Sequence, residues 1–372
     1  MTSLSSQAFG LENKFPADAP LMDQCDLRIG EPKISPFPFD IFNSLHLHKN
    51  INTYYPSHGD PALREMIIKK YYEDQTIDNI GITHGTMGAL DFIFRSALDR
   101  ETEILIPDPG FPPYTRLAEF SGAKVKKYFL NLAFLSDTSI NWDHVESLIS
   151  DKTKLILINS PHNPTGKVLT EKDFICLQNL LNDHPHISFL LDEVYRELIY
   201  DDRTHFDFSP FIERGYIVGS FSKMYPLQGA RIGWVLTSAG NLKKLSPYFN
   251  NATGAMSSFG QEIVKILLSR EMSFRSNYKK AVIETRKILD KHHVDYINPE
   301  GAFFTFIKYD KSGSEVVDEL AQMGVGVVPG SVFGDSGEHY IRASFAQPES
   351  ILQKGFTLIA KHWNKLHPRT LH

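Results

Sequence analysis

The chain has 372 residues, is 42% hydrophobic and carries a formal net charge of -5. That length suggests two domains of about 150 residues each, and the mildly acidic balance argues against non-specific nucleic-acid binding. No apolar run approaches the roughly 18 residues of a membrane span, and Met1 to Pro20 lacks the basic and apolar regions of a signal peptide.

Cys25 and Cys176 are far apart, with no CxxC, which points to a reducing compartment; a soluble cytoplasmic protein is expected, with no membrane or nucleic-acid partner and no metal. Residues 1–26 read as an arm. Leu27-Arg28-Ile29-Gly30-Glu31-Pro32 then reads as a turn, with Gly30 permitting close backbone approach and Pro32 ending regular structure. After the loop Asn52 to Gly59, Asp60 is a plausible N-cap with Pro61 at the first helical position. Leu63, Ile67 and Tyr71 fall on one face of that helix.

Ile80 to Thr83 is a short apolar run into His84-Gly85-Thr86-Met87-Gly88, followed by helical spacing at Leu90, Ile93, Phe94 and Ala97. A Gly-rich strand-to-helix turn leaves backbone N–H groups and the helix dipole facing an anion, so it is a natural phosphate cradle. Glu103 to Pro107 reads as a buried strand. It ends in a Pro-dense loop, Asp108 to Tyr114, that could hold Phe111 as a flat stacking surface. Lys124 to Tyr128 and Leu155 to Asn159 read as strands. The second leads into the rigid turn Ser160-Pro161-His162-Asn163-Pro164-Thr165-Gly166, and Thr170 with Asp173 has the form of a capping box.

Ile187 to Leu191 is another apolar strand, closed by Asp192-Glu193-Val194-Tyr195. A carboxylate at the end of such a strand needs a cation or N–H groups. Gly215 to Gly219 leads into Ser220-Phe221-Ser222-Lys223, and Arg231 to Leu236 follows. Burial disfavours an ammonium, so a lysine just past a buried strand becomes an amine nucleophile able to form a Schiff base with an aldehyde cofactor. The hydroxyls and Arg231 could hold a phosphate beside it. Alternating apolar strands and amphipathic helices predict an α/β domain with a mostly parallel sheet, whose ligands sit beyond the carboxyl ends of the strands. Gly85, Phe111, Asn163, Asp192 and Lys223 all fall at such positions.

From about 265 the pattern changes. A long helix is expected through Val282, Ile283, Ile288 and Leu289, a strand over Ala302 to Ile307, a helix over Ser314 to Met323, and strands over Gly324 to Gly330 and Tyr340 to Phe345. This predicts a smaller α+β domain. Arg342 is a lone cation in an apolar strand: either a surface salt bridge or a bidentate receptor for a carboxylate.

From Leu27 to Phe345 the ordered motifs Gly-Glu-Pro, Tyr-x-x-x-x-Gly-x-x-x-Leu-Arg, Gly-Thr-Met-Gly-Ala-Leu, Phe-Pro, Asn-Pro-Thr-Gly, Asp-Glu-Val-Tyr, Ser-Phe-Ser-Lys with Arg231, and Ile-Arg-Ala-Ser-Phe resemble the class I/II pyridoxal-phosphate aminotransferases of fold type I, the aspartate aminotransferase superfamily. The resemblance implies a large cofactor-binding domain over 49–265 and a small domain built from both chain ends, 1–48 and 266–372. It implies that Lys223 holds pyridoxal 5'-phosphate as an internal aldimine and then moves the proton at Cα. Asp192 would pair with the pyridine nitrogen, and Tyr195 and Asn163 would bond the phenolic oxygen. Phe111 would stack on the ring. Gly85, Thr86, Met87, Ser220, Ser222 and Arg231 would hold the phosphate. Tyr54, with Tyr55 as runner-up, would reach the phosphate of a neighbouring subunit in a homodimer. Arg342, Asn163 and the backbone near Gly30 would hold the substrate carboxylate.

Two departures stand out. Pro226 occupies a place where the resembled signature carries a small non-proline residue. No cation stands at Met87 or in Asn250 to Ser258, where dicarboxylate-specific relatives carry one, leaving Arg28 as a substitute. This points away from a strict aspartate enzyme. The expected activity is amino transfer between an L-amino acid and a 2-oxo acid. Elimination, cyclisation or other lyase chemistry on the same cofactor is the alternative, and a non-catalytic sensor domain is more remote, since residues 1–26 hold no basic helix for a fused DNA-binding module.

Overall fold

The computed structural model describes residues 25–28, 30–34, 54–132, 135, 138–200, 205–225 and 227–368. Nearly all of the expected arm and the position of Pro226 lie outside them. Among the described residues, no helix is long and apolar enough to cross a membrane.

A seven-stranded sheet forms the centre, in the order β2 (Ile80–His84), β8 (Ile232–Thr237), β7 (Gly215–Ser220), β6 (Ser188–Asp192), β5 (Thr153–Asn159), β3 (Glu103–Asp108), β4 (Lys124–Phe129). The strands from β7 to β4 run parallel, while β8 is antiparallel to both β7 and β2. β3, β7 and β8 are buried along their whole length. That is why their middles read as apolar runs: a central strand of such a sheet is covered on both faces. Two antiparallel steps return β2 to the direction of β7. The ends of β2, β3, β5, β6 and β7 therefore share one rim, and the polar residues after each strand collect there.

The helices follow their local signals. Asp60 caps Pro61–Tyr71 by accepting from the Ala62 N–H at 3.0 Å, and Leu63, Ile67 and Ile68 are its buried residues. Lys69 and Lys70 in its last turn complement the dipole. Thr170 and Asp173 form the expected capping box of Glu171–Asp183.

A second sheet is antiparallel, in the order β12 (Val328–Pro329), β13 (Tyr340–Ser344), β10 (Phe304–Lys308), β9 (Tyr296–Ile297). The strand expected over 324–330 is instead two two-residue strands, β11 (Val325–Gly326) and β12. Pro329 has no N–H to continue a ladder. β1 (Cys25–Asp26) pairs in parallel with β11, and the Ser344 N–H donates to Leu27 O at 2.8 Å. These bonds tie the stretch before Gly30 to the C-terminal third of the chain and carry Gly30 to the rim. The Arg275–Lys291 helix buries Tyr278, Ala281, Val282, Thr285 and Leu289, but Ile283 faces solvent. Its apolar face is set by the 278–282–285–289 spacing, and Ile283 falls off that stripe.

Candidate active site

A cleft of about 360 Å³ opens at the shared rim. Gly30, Thr86, Met87, Phe111, Asn163, Asp192, Tyr195, Ser220, Ser222, Lys223, Arg231 and Arg342 all line it.

Lys223 follows β7 in a single helical turn, Phe221–Met224, whose cap is the Ser220 side chain accepting from the Ser222 N–H at 3.1 Å. Its ammonium donates to Gly30 O. Burial lowers its pKa to about 8, with Glu31 opposing and Arg231 and Arg342 adding to the fall. A sizeable fraction is therefore free amine near neutral pH.

Asp192 closes β6 and is 3% exposed. It accepts from the Tyr114 hydroxyl at 2.7 Å and the Val194 N–H at 3.1 Å. Burial nonetheless raises its pKa to about 6, against the pull of Tyr114 and Val194. Tyr114 lines the cleft and was missed in the sequence reading. It stands three residues after Phe111 on the Pro113–Phe120 segment and meets the Phe111 ring edge-on at 5.4 Å. The i,i+3 spacing was the available signal. Asn159 donates to Asp192 O at 2.9 Å and accepts from the Asn163 N–H at 2.8 Å, so one side chain ties the Asn163 turn to the end of β6.

The phosphate-cradle residues meet around the start of the Gly85–Ala97 helix. Gly85 has φ +63, and a Cβ there would lie 2.8 Å from Arg231 Nη2. Only glycine lets Arg231 approach that turn. Arg231 itself sits in the left-handed region, at φ +55. Such a conformation costs of order 1 kcal/mol or more and persists where the surroundings enforce it. Ser220 Oγ is 2.9 Å from Ser222 Oγ, and the buried Thr86 hydroxyl has no hydrogen-bond partner among the described residues. The Gly85 N–H donates to Arg231 O at 3.2 Å, and the following first-turn N–H groups of this helix join the guanidinium and the Thr86 hydroxyl in an arrangement that suits a phosphate.

Arg342 is 2% exposed rather than a surface residue. It donates to Asn163 Oδ1 at 3.0 Å and Arg28 O at 2.8 Å, while its Nε has no hydrogen-bond partner among the described residues. The guanidinium lies 4.2 Å from the centre of the Phe304 ring and 4.7 Å from that of Phe333. Burial lowers its pKa to about 10, with Tyr195 opposing, so it stays charged at neutral pH. Tyr195 is buried and meets Phe303 and Phe304 edge-on.

Two predicted residues do not line the cleft. Gly85 acts through its contact with Arg231, and Tyr54 projects 95% exposed from this chain. Tyr55 instead donates to Glu262. Arg28 is bound to Asp26 at 2.8 and 3.0 Å and is not part of the cleft wall, which holds Arg116 and Glu31. Nothing in the sequence spacing marked those two.

Residues 23–353 match the family described as aminotransferase class I and II. A probable aspartate aminotransferase of Methanocaldococcus jannaschii is 32% identical over 91% of this chain and 92% of its own. An aspartate aminotransferase of Pyrococcus horikoshii is 32% identical over 91% of this chain and 90% of its own. Among solved structures, the aromatic aminotransferase of Pyrococcus horikoshii superposes with a TM-score of 0.85 at 27% identity, covering 92% of this chain and 96% of the other. The chain belongs to the class I and II aminotransferases, a pyridoxal-phosphate-dependent family with fold type I architecture.

Proposed function

We propose that this chain binds pyridoxal 5'-phosphate in the rim cleft and transfers an amino group from an L-amino acid to a 2-oxo acid. The observation that carries the reading is one cleft wall holding an amine of lowered pKa, a buried carboxylate without a cation, and a buried guanidinium with an open Nε. When bound, the cofactor supplies an aldehyde for the amines and an electron sink for charge at the substrate Cα.

The protein's own groups do the rest. Arg342 and Asn163 grip the α-carboxylate and fix Cα within reach of Lys223. Lys223 takes the Cα proton as the free amine and, as the ammonium, would give it up to the carbon that comes from the cofactor's aldehyde, a role its lowered pKa suits. Asp192 would hold the pyridine nitrogen in its protonated form, as a carboxylate in a low-dielectric site. Phe111 would cover a face of the ring, and Tyr195 and Asn163 would bond its oxygen. Ser220, Ser222, Thr86, Arg231 and the backbone N–H groups of Thr86 and Met87 would anchor the phosphate, while the Gly85 N–H is taken by Arg231 O at 3.2 Å. Tyr54, exposed while Tyr55 is engaged, reaches the phosphate site of a second copy in a homodimer. The donor side chain meets Met87, Leu90 and Pro113 as an apolar wall and Glu31 and Arg116 as charges. Donors beyond aspartate are therefore accepted.

The test is the visible absorption band of the purified holoprotein, with amino acids added singly and no oxo acid present. The band should fade with accepted donors and return with a 2-oxo acid, and Lys223→Ala should lack it. Ammonia release without loss of the band would replace amino transfer by elimination. A band unchanged in Lys223→Ala would remove the lysine assignment.

A further inference from the structure

Asp108 ends β3, two strands away from the cleft carboxylate with β5 between them, and is 1% exposed. A buried carboxylate at a strand end is costly unless its oxygens are bonded. Here both oxygens reach across to the second sheet's connections. Asp108 Oδ2 accepts from the Asp335 N–H at 3.2 Å, and Oδ1 from the Ser336 N–H at 3.0 Å. Lys127 Nζ lies 3.6 Å from Oδ2. Gly334, at φ +140, packs so closely that a Cβ on it would fall 2.3 Å from Asp108 Oδ1. Two residues further along the same loop, the Gly110 N–H donates to Phe333 O at 2.7 Å. The 333–336 turn is thus held by the loop that presents Phe111.

That turn matters because Phe333 is one of the two rings against which the Arg342 guanidinium lies. We infer that Asp108 is a positioning residue: by gripping the Gly334–Ser336 turn it sets Phe333, and through Phe333 the aim of Arg342 at the substrate carboxylate. The inference rests on the proposed role of Arg342. It adds that carboxylate affinity is governed by a carboxylate that never touches substrate.

The experiment compares wild type with Asp108→Asn and Gly334→Ala as holoproteins. Asn keeps the size but offers a single carbonyl oxygen to two N–H donors. Ala at 334 disturbs the same contact from the other side, so a folding failure in one variant leaves the other. Calorimetry measures the Kd of three unreactive carboxylates, 4-methylvalerate, 3-phenylpropionate and glutarate, and the tightest for wild type is used throughout. The half-reaction is also followed with an amino acid and with the matching amine that lacks the carboxylate.

The expected result is a rise of about tenfold in carboxylate Kd and amino-acid KM, the scale of losing a hydrogen bond to a charged group. Cofactor content and the reaction with the amine should stay at wild-type levels. Unchanged carboxylate Kd in both variants would overturn the inference. So would an equal loss with amino acid and amine, which marks a general structural role. If wild type binds none of the carboxylates and Arg342→Ala changes nothing, the reading of Arg342 fails first and takes the clamp with it.

Discussion

Asp192 and Glu193 are neighbours in sequence, equally shut off from solvent, and electrostatically opposite. Glu193, 1% exposed, lies outside the cleft wall, among Tyr72, Arg196 and His205. Burial pushes its pKa up, but Arg196 at 2.7 Å and His205 at 3.0 Å outweigh that and hold it below the usual carboxylate range. Arg196 in turn lies over the Tyr71 and Tyr72 rings. Asp192 is as buried, and among the described residues it is bonded by a phenol and a backbone N–H rather than by a cation, so burial wins. The difference separates two kinds of buried charge. A carboxylate that serves the fold brings its counter-charge from its own chain, and one that serves a ligand leaves that place for the ligand's cation.

If this division holds, the two residues fail differently. Asp192→Ala should leave a folded protein and lower the rate of the amino-acid half-reaction by about 10³-fold or more, since on the proposed reading it removes a preorganised charge for the cofactor's ring nitrogen. Stopped-flow absorbance measures it, and a loss below tenfold would deny Asp192 that role. Glu193→Gln should instead lose about 3–5 kcal/mol of stability, because it leaves Arg196 buried against a neutral amide. Chemical denaturation checks it, and an unchanged midpoint would mean that Arg196 is served by the tyrosines alone.

The next effect has the opposite sign. Asp192 has a folded pKa near 6, above its ordinary value of 3.8. The folded protein without cofactor therefore holds this proton more tightly than the unfolded chain. Its penalty is absent below about pH 3.8, grows through the window up to 6, and is full above it. Asp192→Asn should then stabilise the cofactor-free protein by about 3 kcal/mol at pH 7, and much less at pH 4. Thermal unfolding at the two pH values tests this. Stabilisation equal at both would assign the effect to something other than charge.

How much of this was legible beforehand follows the same division. Lys223, Asp192, Asn163 and the phosphate turn announced themselves because each polar group interrupts an apolar run where a parallel strand ends. Arg342 was legible as a cation within an apolar strand, but its burial was not. What stayed hidden depends on strand order, which the chain does not list in sequence. β3 lies beside β5 and β5 beside β6, so Tyr114 reaches Asp192 from 78 residues away. In the sequence, Tyr114 reads as one more aromatic in a stiff loop. Glu193's partner Tyr72 caps the end of the Pro61–Tyr71 helix, 121 residues away, and Glu31 and Arg116 line one cleft from widely separated parts of the chain. The apolar Ile283 misled in the other direction, since composition alone does not say which helical stripe faces the core.

The smallest predicted effect tests the contact that joins the two faces of the proposed ring site. Tyr114→Phe keeps the ring that meets Phe111 edge-on and removes only the hydroxyl that donates to Asp192. Fold stability should change little. The carboxylate, however, loses a donor to its charged form, worth about 1.5 kcal/mol or roughly one pH unit. Its pKa in the cofactor-free protein should move from near 6 toward 7. Cofactor affinity that needs ionised Asp192 is lost as pH falls through that value. A plot of cofactor Kd against pH should therefore bend near 6 for wild type and near 7 for the variant, and the two should merge above pH 8. At pH 6 the variant binds several-fold more weakly, while at pH 8 it is indistinguishable. Superimposed profiles would show that the Val194 N–H alone keeps Asp192 ionised, and Tyr114 would then join Glu193's neighbours as a residue that serves the fold.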